Sequence, residues 1–323
     1  MKYKYVFLTG NADYYKYIYN ITNNGYFHNN KMNRFKRFLF RLHNSCITNK
    51  LFNLPLRSIW KKHILDEYVL KTISYKDKVC FVFSCFGDYP VRTGLMDYIK
   101  KHYVNCKIVF DFKDKVSVYQ KNCKNFFDLY KPFVDLFMSY NLTDCIKYKL
   151  THKRPMVINY KSFKNDNPEN DVFFIGKNKG RLPVLHNIYT FLSDNGIKCD
   201  FYITDVGRKF KLKKSNIVYN KRLKYSEVIK HTCNSKCILN IVQEGANGIT
   251  LRDYEAIGMN KILLTNNNSI TNSKFNTDSK IVLLDNLGDI VNKLNEYKAD
   301  EVWNGSDEYS FDNYYLWLEE LLD

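Results

Sequence analysis

Short β-branched or aromatic runs alternate with longer amphipathic stretches along the whole chain, and this alternation restricts the fold more than any other feature. Runs such as 79–85 (VCFVFSC), 107–112 (KIVFDF), 171–175 (DVFFI) and 237–242 (CILNIV) are apolar at nearly every position rather than at every second one. A strand of that kind is buried on both faces, as in a parallel sheet covered by helices. The expected class is therefore α/β, with doubly wound parallel sheets.

In the first half the pattern predicts strands over 3–9, 79–85, 107–112, 134–139 and 156–160, and helices over 31–43, 91–102, 116–130 and 142–148. A polar stretch without apolar periodicity, 161–170 (KSFKNDNPEN), then reads as a linker. Beyond it come strands over 171–175, 199–204, 216–219, 237–242, 261–265 and 280–284, with helices over 181–195, 225–232, 249–257 (closed by Gly258) and 287–297. The domains read as 1–160, the linker 161–170, 171–308, and an apolar-rich terminal helix within 309–323. A length of 323 residues suffices for two cores. Two such domains in tandem are expected to face a cleft, with ligands at the carboxyl ends of the strands.

The net charge of +17 calls for a polyanionic partner or surface. It is concentrated at the start, with 12 basic side chains against the single acid Asp13 in the first 65 residues, whereas the last 73 hold 14 acidic and six basic. Nucleic acid, anionic lipid and phosphorylated substrate all fit, but no helix-turn-helix, zinc-finger or RNP signature is present. Residues 31–43 (KMNRFKRFLFRLH) place Phe35, Phe38, Leu39 and Leu42 on one helical face, ringed by Arg34, Lys36, Arg37 and Arg41. That pattern suits either a helix lying on anionic lipid or one packed on a core. Nine cysteines at scattered spacing, without a C-x-x-C, read as reduced thiols in a cytosol. Cys233 and Cys237 lack the further ligands of a zinc site. No segment approaches the ~20 apolar residues of a membrane span, and the N-terminus reads as a strand rather than a signal peptide.

The most informative stretch is 237–268 (CILNIVQEGANGITLRDYEAIGMNKILLTNNN): a buried strand, a turn with two glycines, a helix, and the next strand in order. Gly245 and Gly248 allow close backbone approach, and the helix start near Thr250 offers N–H groups and the positive dipole end to a phosphate. Arg252 can add a fork of donors to a diphosphate, and Glu255 can accept from a ribose diol. Lys177, Lys179 and Arg181 follow the strand end at Gly176 and precede a helix, the place where a doubly wound sheet seats phosphate.

Glu244-Gly245, Gly248, Glu255-Ala256 and Gly258 resemble, in order, the turn-helix pattern of the carboxyl-terminal domain of GT-B glycosyltransferases, with a longer spacing between Glu244 and Glu255. The stretches 171–189 and 248–267, with 135–160, resemble more closely the glycosyltransferase-like proteins of bacterial surface-polysaccharide loci. The resemblance covers about 135–285 well and the rest by general pattern. It implies two Rossmann-like domains, a nucleotide-sugar co-substrate with no further cofactor, no metal, and a capsule-type role at the inner face of the cell membrane. Donor-side residues would then be Gly176, Lys177, Lys179, Arg181, Glu244, Asn247, Gly248, Thr250, Arg252 and Glu255. The acceptor would be a glycan or a polyprenyl-diphosphate-linked glycan, with Gly10 and Asn11 on its side. If the enzyme inverts, a first-domain carboxylate would be the base, with Asp88 and Asp111 placed at strand ends and Asp13 after the first strand. His28, His43, His63 and His102 are further candidates. Two other readings remain, a basic nucleic-acid-binding protein and a nucleotide-sugar-binding module without catalysis.

Overall fold

The computed structural model describes residues 2–8, 26–27, 33–43, 57–60, 65, 72–84, 89–154, 165–243, 248–273, 275, 279–299, 303 and 310–323. The chain divides into two compact units, Met1–Lys153 with Tyr315–Asp323, and Arg154–Tyr314.

The first unit is a six-stranded sheet of β1 (Lys4–Leu8), β2 (Tyr26–Phe27), β3 (Val79–Phe83), β4 (Cys106–Phe112), β5 (Leu136–Ser139) and β6 (Thr151–His152). The order is β2-β1-β3-β4-β5-β6 and every pairing is parallel. All five β3 residues are buried, as a central parallel strand requires. The helix expected over 91–102 is interrupted: α2 (Tyr89–Arg92) ends at Thr93, and α3 (Leu95–His102) starts after Gly94, whose φ is 67°. The helix expected over 116–130 is likewise two, α4 (Val116–Asn122) and α5 (Phe126–Tyr130). Cys123 is extended between them, and the break lets Tyr119, Phe126 and Tyr130 all reach the ring of Phe110, at 5.9, 4.9 and 5.1 Å. Aromatic packing of this kind outweighs the continuity that the periodicity suggests. The helix α6 (Leu142–Tyr148) follows β5 and is capped by the Asn141 side chain, which accepts from the Asp144 N–H at 3.0 Å.

The basic stretch forms the helix α1 (Arg34–His43). Its Phe40 meets Trp60 edge-on at 5.3 Å, and Trp60 Nε1 donates to His43 Nδ1 at 2.9 Å. Phe35 and Phe38 are 67% and 61% exposed, with Leu39 and Leu42 also exposed beside them.

The second unit is a parallel sheet of β7 (Asn170–Lys177), β8 (Cys199–Thr204), β9 (Val218–Tyr219), β10 (Ser235–Asn240), β11 (Ile262–Thr265) and β12 (Ile281–Leu283), in the order β12-β11-β10-β7-β8-β9. Its helices are α7 (Leu182–Asp194), α8 (Tyr225–Cys233), α9 (Leu251–Gly258) and α10 (Asp289–Asn295). Helices α7 and α10 cover one face of the sheet, and α9 packs with Ile238, Leu263, Phe275 and Trp303 in a separate core. Gly258 does not close α9 as expected but is its last helical residue; Asn260 takes the left-handed conformation (φ 55°) instead. Asparagine tolerates that region, and the Lys261 N–H returns to Ala256 O at 2.9 Å to end the helix.

The terminal helix α11 (Phe311–Leu322) ends within the first unit. Tyr315 packs on Tyr5 at 4.5 Å, and the Glu319 carboxylate accepts from the N–H groups of Lys2 and Tyr3 at 2.5 and 3.3 Å. The strand expected over 156–160 lies outside the described residues. Both units are parallel doubly wound α/β sheets, as the alternation predicts.

Candidate functional site

In the second sheet the order reverses between β7 and β10, neighbours that are not consecutive in sequence. Loops leaving two such strands run to opposite faces, so a crevice opens at their carboxyl ends. Four of the expected donor residues stand there. After β7 the chain makes a tight turn in which Lys179 and Gly180 both have positive φ (44° and 83°), closed by the Arg181 N–H on Asn178 O at 2.8 Å. Asn178 Oδ1 accepts from the Leu182 N–H at 3.1 Å, and Pro183 has no N–H to offer, so the start of α7 is already largely satisfied.

Arg181 spans the reversal point. Its Nη2 donates to Lys177 O at 2.6 Å and its Nη1 to Ile241 O, the carbonyls that end β7 and follow β10. The guanidinium lies 5.9 Å from the centre of the Phe174 ring. Gly176 makes this possible, since a Cβ there would stand 3.0 Å from Phe174 Cζ and 3.1 Å from Arg181 Nη2. Lys177 pairs with Asp205 at 3.2 Å on the surface, and Lys179 is exposed.

The loop after β10 is pinned to the loop after β11. The Val242 N–H donates to Asn266 Oδ1 at 2.7 Å. Gly248 donates its N–H to Ser269 Oγ at 2.8 Å and accepts at its carbonyl from Asn267 Nδ2 at 3.1 Å. Its φ of 124° is one that only glycine adopts without strain. At the start of α9 the Thr250 N–H donates to Asp253 Oδ2 at 2.7 Å. Asp253, fully buried, also accepts from Asn240 Nδ2 at 2.6 Å and Asn267 Nδ2 at 3.0 Å. One carboxylate thus ties the end of β10, the start of α9 and the loop after β11 together. Burial pushes its pKa up, against the hydrogen bonds that favour the ionised form.

Glu255 is 1% exposed. Its Oε1 accepts from the Tyr225 hydroxyl at 2.5 Å and its Oε2 from Arg252, which joins the starts of α8 and α9. Burial raises its pKa too, with the Arg252 charge and the Tyr225 hydrogen bond acting the other way.

The structure therefore brings Gly176, Lys177, Lys179 and Arg181 to the end of β7 and the turn after it, and Gly248, Thr250, Arg252 and Glu255 to the segment following the neighbouring strand. Glu244, Asn247, Gly10, Asn11 and Asp88 lie outside the described residues, as do Asp13, His28 and His63. In the first unit Asp111 is buried in β4, where its Oδ2 accepts from Lys113 and from Lys153, the latter at 2.8 Å. Burial pushes its pKa up, but the two lysine charges outweigh this and hold it below the usual carboxylate value. Of the other histidines, His43 is tied to Trp60, and His102 stacks on Tyr98 at 3.8 Å. Asn240, Asp253, Asn267 and Tyr225 were not foreseen. The Thr250-x-x-Asp253 spacing is a capping signal that points to Asp253, and nothing local marks Tyr225. Among the described residues no group of three or more His, Cys, Asp or Glu could hold a metal ion. No helix of the described residues is long and apolar enough to cross a membrane.

Residues 188–302 match the family described as Glycosyl transferase-like. The match spans β8 to β12 with α8, α9 and α10, and so contains the pinned loops. No curated protein matches. Among solved structures, the chain is similar to T4 phage BGT in complex with its UDP-glucose substrate, at 13% identity and a TM-score of 0.39 over 92% of this chain and 89% of that one. It is also similar to α,α-trehalose 6-phosphate synthase from Burkholderia multivorans, at 8% identity and a TM-score of 0.47 over 88% and 81% of the two chains.

Proposed function

We propose that the protein is a glycosyltransferase that takes a sugar, a hexose in the first instance, from a nucleotide-diphosphate donor. The observation that carries this reading is the crevice between β7 and β10, where a half-buried arginine bridges both strand ends inside the region adjoining the glycosyl transferase-like match. The diphosphate would lie on Lys179 and the positive field of Arg181, with Gly176 and Gly248 leaving room for it. Lys177, Glu244 and Asn247 would border it, and the start of α9 at Thr250 would add its dipole. Arg252 and Glu255 would hold the ribose end, Glu255 as acceptor and Arg252 as the charge that favours its ionised form against burial. Charge on the leaving diphosphate would be met by these side chains and helix ends rather than by a metal. Asp88 or Asp111 would be the base, and Gly10 and Asn11 would touch the acceptor, a glycan or lipid-linked glycan of a surface polysaccharide.

The exposed apolar stripe of α1, ringed by four basic residues, supports a peripheral contact with an anionic cytoplasmic membrane face. The test of the donor reading is calorimetric titration with UDP, GDP, ADP, CMP and dTDP, and with a single-stranded oligonucleotide. Saturable binding of one nucleotide, lost in Glu255→Ala, supports it. Binding to the oligonucleotide alone, weakening steeply with salt, replaces it with nucleic-acid binding.

A further inference from the structure

The carboxyl edge of the first sheet holds polar groups that donor binding leaves unused. Strands β3 and β4 pair with Phe83 beside Phe110, so the next residues, Ser84 and Asp111, are neighbours in register. Both are buried, and among the described residues Ser84 Oγ and Asp111 Oδ1 have no hydrogen-bond partner. Orphaned buried oxygens are rare because each has lost its water without replacement, and a bound water, ion or ligand can supply the missing group. The other carboxylate oxygen is fully engaged. Lys113, from the loop after β4, and Lys153, just after β6, both converge on Oδ2. The Lys153 N–H donates to Ser139 O at 2.8 Å, which fixes its approach.

Two kinds of demand thus meet at one edge. The orphaned carboxylate oxygen takes a hydroxyl donor and nothing anionic, while the two ammonium groups favour an anion. Glucose answers only the first and inorganic phosphate only the second. We propose that this edge binds an acidic sugar, a sugar phosphate or a uronate. Its hydroxyls donate to Asp111 Oδ1 and Ser84 Oγ, and its anionic group lies against Lys113 and Lys153. The lysines keep Asp111 ionised, so it remains an acceptor across the neutral range. Identification of this ligand as the sugar acceptor rests on the transferase reading; the binding itself does not.

The experiment is calorimetric titration of the full chain with glucose 6-phosphate, glucuronate, glucose and inorganic phosphate, each without nucleotide. At least one acidic sugar is expected to bind saturably, at least about tenfold tighter than glucose or phosphate, the worth of one charged hydrogen bond. The two acidic sugars tell phosphate from carboxylate recognition. Ser84→Ala and Lys153→Met should each weaken that binding about tenfold and leave nucleotide affinity unchanged. No binding of either acidic sugar, equal binding of inorganic phosphate, or undiminished affinity in both variants overturns the inference. Failure of the unaltered protein to bind any nucleotide in the same buffer overturns the donor reading instead.

Discussion

Removing the Asp253 carboxylate should loosen the second unit more than its size suggests. In Asp253→Ala, the Thr250 N–H loses the partner it has there, and Asn240 and Asn267 each lose one of two amide partners, the others being Thr250 Oγ1 and Gly248 O. Each stranded buried donor costs about 1–3 kcal/mol. Water entering the small void relieves part of this, leaving a loss of roughly 3–5 kcal/mol, a large share of a typical domain's stability. Asp253→Asn behaves differently. Its oxygen can keep Thr250 and Asn267, while the Asn240 amide turns over to accept from the new NH2, with the Thr250 hydroxyl turning to donate. Its cost should stay within about 1 kcal/mol. Urea unfolding followed by Trp303, buried in the same unit with its Nε1 on Lys261 O at 3.0 Å, reads the difference in a background where Trp60 and Trp317 are Phe. A loss below about 1 kcal/mol in the alanine variant would refute the idea that this carboxylate holds the three loops together.

Other consequences follow from neighbouring residues. Arg252→Ala and Lys179→Ala should each weaken nucleotide-diphosphate affinity about tenfold to a hundredfold by calorimetry, the range of one charged hydrogen bond. Gly176→Ala forces Phe174 and the Arg181 guanidinium to give way, and should cost about 1–3 kcal/mol of stability in a urea melt. Asp253 and Glu255 both have folded pKa values raised by burial, so the fold takes up their protons more readily than the unfolded chain. Stability should therefore fall as pH rises from the ordinary carboxylate value through the folded one, and Asp253→Asn with Glu255→Gln should flatten that slope in a melting series. Phe38→Glu should abolish co-sedimentation with phosphatidylserine vesicles while leaving the melting temperature in place, since Phe38 is exposed.

The parallel sheets were legible because their strands announce burial on both sides. VCFVF and CILN have no polar alternation, and both lie in sheet interiors. The break at Cys123 was not, because the aromatic contacts that favour it are made to Phe110 on another element. The carboxyl-end loops could be picked out from Gly176, Gly248 and the basic run 177–181. What those residues do locally could not. Arg181 is aimed at two backbone carbonyls, one of them 60 positions away, and Glu255 meets Tyr225 from another helix. Asp111 was chosen for its place at a strand end; the lysines that decide its charge come from the next loop and from beyond β6. A one-dimensional pattern records which face a residue takes, but not which distant partner meets it there.

Hydrogen–deuterium exchange with and without a saturating nucleoside diphosphate tests the central claim most directly. The account predicts slower exchange in peptides covering 176–182 and 248–270, where the crevice loops are pinned by Arg181, Asn267 and Asp253. Protection confined to other segments, with these two unchanged, would contradict it.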